Sequence, residues 1–295
     1  MTRPGADDTL TRAFEAHRGR LLRVAYATVG SVPEAEDCVQ EAWLRLQAQD
    51  PASIRDLGAW LTTTVSRLAY DTLGSARVRR ERYVGPWLPE PLVEDFGDSD
   101  PAQRVTLDES VSMALLVVLE RLSPAERTAF LLHDVFGLAF EEVAGVVGRT
   151  PAAVRQLASR ARKHVEDGRP RFPPTQAEQR RLVTAFADAC GGGDMERLVA
   201  LLDPDVVWRS DGGGKVSAAR PATPGARNVT RWLLALARRP PRSMRMAAVN
   251  GAPGLVMRDA DGVLTVIAFT VDAGRITALD VMRNPDKLTT VPDPG

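Results

Sequence analysis

Within residues 151–165, Arg155, Gln156, Ser159, Arg160, Arg162 and Lys163 fall where a helix points outward. Val154, Leu157, Ala158, Ala161 and Val165 recur on its opposite side. The chemistry such a face offers is nucleic-acid recognition: Arg and Gln reach base edges in a major groove, and Arg and Lys hold phosphates. Between Arg149 and Arg171 seven residues are basic and two acidic, whereas the whole chain balances at 38 and 38. A local excess inside a neutral protein favours phosphate binding. A solvated basic face on an ordinary surface helix would carry the same pattern taken alone.

The elements that must position this face are written next to it. Thr150 supplies an N-cap oxygen, and Pro151 stands at the first helical position, where a missing N–H costs nothing. Residues 140–147 keep their apolar side chains on one face, and Gly148 can take the left-handed conformation that ends a helix. Residues 122–165 therefore predict a helix-turn-helix whose second helix starts at Pro151.

A chain of 295 residues, 44% hydrophobic and 26% charged, describes two or three soluble globular domains. The longest apolar run, 113–119, is far too short to span a bilayer, so a cytoplasmic protein without a secretory signal is expected. Cys38 and Cys190 fall within apolar helical patterns and read as reduced core residues. His133 and His164 read as surface or packing residues without a second metal-type residue at useful spacing, and neither a metal nor a cofactor is expected.

Three segments separate by composition. Residues 1–85 read as helical. In 34–46 one face carries Ala35, Cys38, Val39, Ala42, Trp43 and Leu46, and the other Asp37, Gln40 and Glu41. After a break at 50–53, a long helix from about 56 to 82 turns Trp60, Leu61, Val65, Leu68 and Ala69 inward, and its later half is basic. Residues 86–102 form a linker with three prolines in its first six residues and five acids (Glu90, Glu94, Asp95, Asp98, Asp100), a composition that fits neither helix nor strand. Residues 103–171 hold the helix-turn-helix and two preceding helices. From 175 to 295 two helices, a short strand at 206–209, a glycine loop, a helix at 226–239 and four terminal strands predict an α+β domain with an antiparallel sheet. Asp261-Gly262 and Ala273-Gly274 are hairpin signals.

Two basic helical segments separated by an acidic tether resemble a bacterial RNA polymerase sigma factor of the extracytoplasmic-function group. Residues 35–46 (AEDCVQEAWLRL) resemble that group's polymerase-clamp helix, 58–71 (GAWLTTTVSRLAYD) its −10 helix, and 122–162 its −35 domain. The C-terminal part is similar to the SnoaL-like, NTF2-like cone, and three signatures of the subgroup with that domain fused on occur in order. They are Trp87-Leu88-Pro89-Glu90-Pro91-Leu92, Asp211-Gly212-Gly213-Gly214-Lys215 and Asn284-Pro285-Asp286-Lys287-Leu288. The fold expected is thus two all-α sigma domains, region 2 and the helix-turn-helix region 4, followed by an α+β cone.

The resemblance implies an alternative sigma factor, monomeric when free and without a membrane partner, that joins the polymerase core at its clamp helices and flap and engages −10/−35 promoter DNA. Asp37, Gln40 and Glu41 would dock on the clamp helices, although a merely solvated face would look the same. The loop at 47–57 matches the segment that captures a flipped −10 base. Arg67, Arg77, Arg79 and Arg80 would hold phosphates near the melted strand. Thr150, Arg155, Gln156, Ser159, Arg160, Arg162 and Lys163 would engage −35 DNA. The three signatures would form interdomain regulatory contacts, with Lys215 meeting an acidic partner such as the linker.

The alternative is a DNA-binding module tethered to a catalytic or small-molecule-sensing domain. Such chemistry needs an acid or base and an oxyanion donor. Histidine and tyrosine (Tyr26, Tyr70, Tyr83) all precede residue 175, which argues against an enzyme. Asp211 with Lys215, or Asp280 with Arg283, could form an acid–base pair. Trp208 and Trp232 read as core, and Met244, Met246 and Met257 could line a ligand cavity.

Overall fold

The computed structural model describes residues 6–50, 53–80, 82–95, 111–168, 170, 172–219 and 221–295, with backbone alone at 6–8, 78, 79 and 235–237. Asp98, Asp100 and the Arg79 side chain lie outside the described residues. The chain divides into two compact units: one draws on residues 1–79, 100–106 and 118–167, the other on 80–99, 107–117 and 168–295.

The first unit is helical. Helix α1 (Ala6–Val29) and α2 (Val32–Gln47) are joined by a two-residue turn, and α3 (Leu57–Arg80) follows. The apolar stripe of α2 is buried at Ala35, Cys38, Val39, Ala42 and Leu46, as its spacing requires. Helix α4 (Met113–Leu119), whose residues 113–117 belong to the second unit, leads to α5 (Pro124–Phe130), whose Ser123 and Glu126 form a reciprocal capping box. A π-helical turn at Leu131–Val135, α6 (Phe140–Val147) and α7 (Pro151–Gly168) complete the helix-turn-helix. Val24 of α1 and Tyr70 of α3 pack into the same apolar cluster as Ala129, Leu132, Val143, Val147, Val154 and Ala158. Region 2 and region 4 thus share a core in this unit.

The second unit is a seven-stranded sheet in the order β1-β4-β5-β6-β7-β2-β3. Its strands are β1 (Val93–Glu94), β2 (Leu202–Asp211), β3 (Thr223–Pro224), β4 (Ser243–Val249), β5 (Ala252–Arg258), β6 (Leu264–Asp272) and β7 (Arg275–Met282). Helices α8 (Gln176–Gly192), α9 (Met195–Leu201) and α10 (Ala226–Ala237) cover one face over Trp208, Leu255, Ile267, Phe269 and Leu279. This is the α+β arrangement expected of a SnoaL-like domain.

Two details differ from the sequence expectation. The sheet is mixed, because β2 runs parallel to β7 (Trp208 opposite Leu279, Arg209 opposite Asp280). One helix and four strands intervene between them and return the chain in the same direction, which strand patterning alone does not reveal. The linker also contributes a strand: Val93 and Glu94 pair with Val249 and Ala248 at the β4 edge. Its stability comes from that edge and from Asn250, which donates its N–H to the Leu92 carbonyl (2.8 Å) while its Oδ1 accepts from the Leu92 N–H (3.2 Å). Neither partner is local in sequence.

The other face of the sheet is equally apolar. Val249, Val256, Val266, Ala268 and Met282 pack with Leu88 of the linker, Met113 at the start of α4, and Leu288 and Val291 of the C-terminal tail. The linker covers this face.

Candidate nucleic-acid interface

Helix α7 is set by its ends. Gly148 has φ +66°, a left-handed conformation that closes α6 without a Cβ penalty, and Thr150 Oγ1 accepts the Ala153 N–H at 3.3 Å. Val154, Ala158, Ala161 and Val165 are buried, so Arg155, Gln156, Ser159, Arg160, Arg162 and Lys163 all stand exposed on the remaining faces. Three of the arginines already meet carboxylates: Arg155 with Glu141 (3.3 Å), Arg160 with Glu126 (3.0 Å) and Arg162 with Asp134 (2.5 Å). Such exposed pairs contribute little to stability, so they orient the side chains and exchange readily for phosphate. His133 stacks on Phe140 with its Nδ1 against the Leu138 carbonyl (2.9 Å), a packing residue of the turn.

In region 2, Asp37 and Gln40 are exposed on α2, and the half-buried Glu41 accepts from Arg45 at 2.8 Å. Of the arginines expected at the −10 strand, Arg67 donates to the Gly145 carbonyl and Arg77 to the Leu122 carbonyl, each at 3.3 Å. Both acceptors belong to region 4. Sequence reasoning passed over Arg127 of α5, which is 1% exposed. It pairs with Glu120 and donates through Nη2 and Nε to the Ala27 carbonyl at 2.9 and 3.3 Å. Ala27 lies in the last turn of α1, where carbonyls lack intrahelical partners and the helix dipole favours a cation.

The three C-terminal signatures converge within the second unit. Asp211, fully buried at the end of β2, accepts from Tyr83 Oη (2.6 Å), the Leu88 N–H (2.9 Å), the Gly213 N–H (3.0 Å) and Lys287 Nζ (2.9 Å). Lys287 also donates to the Leu88 carbonyl at 2.6 Å, and Asn284 donates through Nδ2 to Tyr83 Oη at 2.8 Å. Pro285–Lys287 forms a 3-10 turn, with the Asn284 side chain accepting from the Asp286 N–H, and Leu288 is buried under the sheet. Trp87 lies between two cations, Arg80 at 3.4 Å and Lys287 at 3.9 Å from its ring centre. Leu88, Pro89, Glu90 and Pro91 are buried and Leu92 is half-buried. Burial, then the hydrogen bond to the Asp211 carboxylate and its charge, hold the Tyr83 phenol well above its ordinary range.

The glycine loop closes against this cluster. Gly212 would press a Cβ to within 2.5 Å of the Val216 carbonyl oxygen, and Gly214 would meet Val84, just ahead of the linker, at 3.2 Å. Gly213 has φ +61° and faces Asn284 so closely that a Cβ would lie 2.5 Å from its side chain. Gly213→Ala combines left-handed strain with displacement of Asn284 and is expected to cost about 2–3 kcal/mol. Urea unfolding measures this, and a midpoint equal to the parent's would contradict the close approach.

Several expected pairings are corrected. Lys215 meets Asp286 (2.7 Å), not the linker, because the NPDKL turn lies beside the loop. Asp211 takes Lys287 rather than Lys215. Asp280 pairs with Arg209 across the parallel strands (2.5 Å), and Arg283 with Asp259. No free acid–base pair remains in either proposed couple. Trp208 is core, but Trp232 is 47% exposed because α10 turns Val229 and Leu233 inward instead. Met246 and Met257 pack against the core beneath the helices and Met244 is exposed, so they do not jointly line a cavity. The one tyrosine that reaches this unit, Tyr83, arrives from ahead of the linker and had been set aside for its place in the sequence. Cys38 and Cys190 are free thiols, and burial pushes Cys190 up to about 12. No helix among the described residues is long and apolar enough to cross a membrane.

Comparison with known proteins identifies the family. Residues 13–80 match the family Sigma-70 region 2, and 112–165 match Sigma-70, region 4. The ECF RNA polymerase sigma factor SigJ of Mycobacterium tuberculosis is 44% identical over 296 residues, covering 95% of this chain and 93% of that protein. The probable ECF RNA polymerase sigma factor SigI of the same species is 36% identical over 283 residues, 95% of each chain. The crystal structure of M. tuberculosis SigJ superimposes with a TM-score of 0.80 at 40% identity, over 95% of this chain and 98% of that one. The chain belongs to the extracytoplasmic-function RNA polymerase sigma factors.

Proposed function

We propose that this protein brings RNA polymerase core to promoters with −10 and −35 elements, and that its C-terminal domain regulates it by holding the linker. The observation that carries the reading is the pairing of an exposed, capped recognition helix with a buried carboxylate, Asp211, that grips the linker at Leu88 and, just ahead of the linker, Tyr83. Region 2 docks through Asp37, Gln40 and Glu41 on the clamp, and region 4 on the flap. Phosphate contacts supply most of the DNA affinity, with Thr150, Arg160, Arg162 and Lys163 positioning α7 and Arg155, Gln156 and Ser159 meeting base edges. Residues 47–57 receive the flipped −10 base, beside Arg67, Arg77, Arg79 and Arg80.

Arg67 and Arg77 now spend their hydrogen bonds on neutral carbonyls of region 4. A phosphate oxygen is the stronger acceptor, so promoter DNA competes well for both once the cores separate. The linker is the natural control point, because it joins regions 2 and 4 and is held over the sheet at Leu88 and at Val93–Glu94. The competing reading, a tethered catalytic domain with Asp280 as its acid or base, finds that carboxylate paired with Arg209 and beside Leu88, Pro89 and Pro91 of the linker.

In vitro transcription with core polymerase tests the proposal, comparing the full chain with one ending near Arg171. Both are expected to direct promoter-dependent initiation, but at different rates, and equal rates would remove the C-terminal domain from control. Arg155→Ala is expected to relax preference at one −35 position by about 1–3 kcal/mol, whereas Lys163→Ala weakens all sites alike. Equal losses from both substitutions at every promoter would sink the assignment of α7.

A further inference from the structure

From Gly212 to Arg258 the sequence contains nine basic residues and no acidic one, inside a chain of balanced charge. Helix α10 lies in the middle of this run. Val229 and Leu233 enter the core, while Arg227, Asn228, Arg231 and Trp232 stand exposed, followed by exposed Arg238 and Arg242. Four of the nine cations are neutralised: Lys215 by Asp286, Arg239 by Asp261, Arg245 by Asp95 and Arg258 by Asp293. Arg227, Arg231, Arg238 and Arg242 have no carboxylate partner among the described residues. Arg231 donates to Asn228 Oδ1 (2.9 Å) and Arg242 to the Ala260 carbonyl (3.2 Å), bonds that orient each guanidinium and leave its charge uncompensated.

We infer that the outer face of α10 and the turn after it form a second nucleic-acid contact surface, separate from α7. Arg227 and Arg231 lie one helical turn apart and Arg238 two turns further on, so all three share a side of the helix axis. Guanidinium forks match phosphate oxygens in pairs. Trp232 supplies a flat apolar face on which a base or sugar can stack, at the edge of the same charged surface. An acidic protein segment could meet the same arginines. All four cations left without a carboxylate among the described residues are arginine, whose guanidinium forks match successive phosphate oxygens, and this favours a polyphosphate strand over a protein surface of mixed charge.

The inference extends the promoter reading to the C-terminal domain, and its test needs neither polymerase nor a promoter. Fluorescence anisotropy of the full chain with a short duplex and a short single strand, both lacking promoter elements, is measured from about 50 to about 200 mM salt. Against the parent, the variant Arg227→Ala/Arg231→Ala/Arg238→Ala is expected to flatten the duplex salt slope by about 2–3, at roughly 0.9 per lost phosphate contact. Trp232→Ala is expected to weaken the single strand on the order of tenfold and Trp232→Phe to recover most of it. These side chains are exposed, so unchanged thermal melting confirms that the variants fold. An unaltered slope in the triple variant, a parent that binds neither probe at low salt, or displacement of both probes by poly-glutamate at equal charge would each overturn the inference. A chain that fails to initiate transcription yet keeps the arginine-dependent slope would sink the promoter reading and leave this surface standing.

Discussion

Asp211→Ala is expected to free the linker from the C-terminal sheet, opening residues 84–92 to protease and lowering the melting temperature of that unit by on the order of 10 °C. The carboxylate is fully buried and accepts four hydrogen bonds, from Tyr83, Leu88, Gly213 and Lys287. Deleting it takes a buried charged acceptor away from the Lys287 ammonium, which is 12% exposed. Removing one partner of a buried pair costs about 3–5 kcal/mol, well above what the pair contributes as a whole. Asp211→Asn is expected to lose nearly as much, since its amide would present donors to the Leu88 N–H and to Lys287. Tyr83→Phe removes one donor and one acceptor and should cost about 1–3 kcal/mol.

Tyr83 also makes the effect pH-dependent. Its folded-state pKa lies above the ordinary value of 10.0, chiefly through burial and then through Asp211. Its contribution is therefore complete below pH 10 and declines as pH rises from there towards the folded value. The parent should lose stability progressively above about pH 10, and Tyr83→Phe should lack that part of the decline. Limited proteolysis and thermal unfolding of Asp211→Ala decide the matter: a parent-like digestion pattern and melting temperature would remove the clasp from the account.

What could be read in the sequence was whatever depends on neighbours three or four residues away. Gly148, Thr150 and Pro151 define the helix-turn-helix because caps and periodicity are local. The stripe of α2 emerged at Ala35, Cys38, Val39, Ala42 and Leu46 for the same reason. Strand β1 was missed because Val93 and Glu94 are strand only by virtue of β4, more than 150 residues away. Tyr83 reaches Asp211 across 128 residues, and no local pattern marks a tyrosine as belonging to a domain that starts so much later. Trp232 was misplaced by residue type alone. A helical wheel on α10 with Val229 and Leu233 inward sets Trp232 off the core side, and that signal was available. The clasp was legible as three motifs, but not as one site: the loop's lysine and the turn's lysine could not be told apart as partners of Asp211.

Arg127 shows the same limit more sharply, since nothing around it in sequence distinguishes it from the surface arginines. Arg127→Ala is expected to destabilise the helical unit by about 3–5 kcal/mol, the cost of removing one partner of a buried pair. Two kinds of partner would lose a charged donor: the Glu120 carboxylate, and the Ala27 carbonyl in the last turn of α1. Arg127→Lys should recover only part of this, because a single ammonium cannot serve a carboxylate and a carbonyl through a planar fork. A double-mutant cycle with Glu120→Ala should give a coupling of about 1–3 kcal/mol, which separates the ion pair from the bond to α1. The bond to Ala27 ties α5 of region 4 to α1 of region 2 from inside their shared core. In Arg127→Ala, amide exchange in the last turn of α1 should therefore accelerate beyond the global loss of stability. Exchange that rises uniformly through the unit would show that Arg127 contributes packing alone, and a variant within about 0.5 kcal/mol of the parent would dismiss the buried junction altogether.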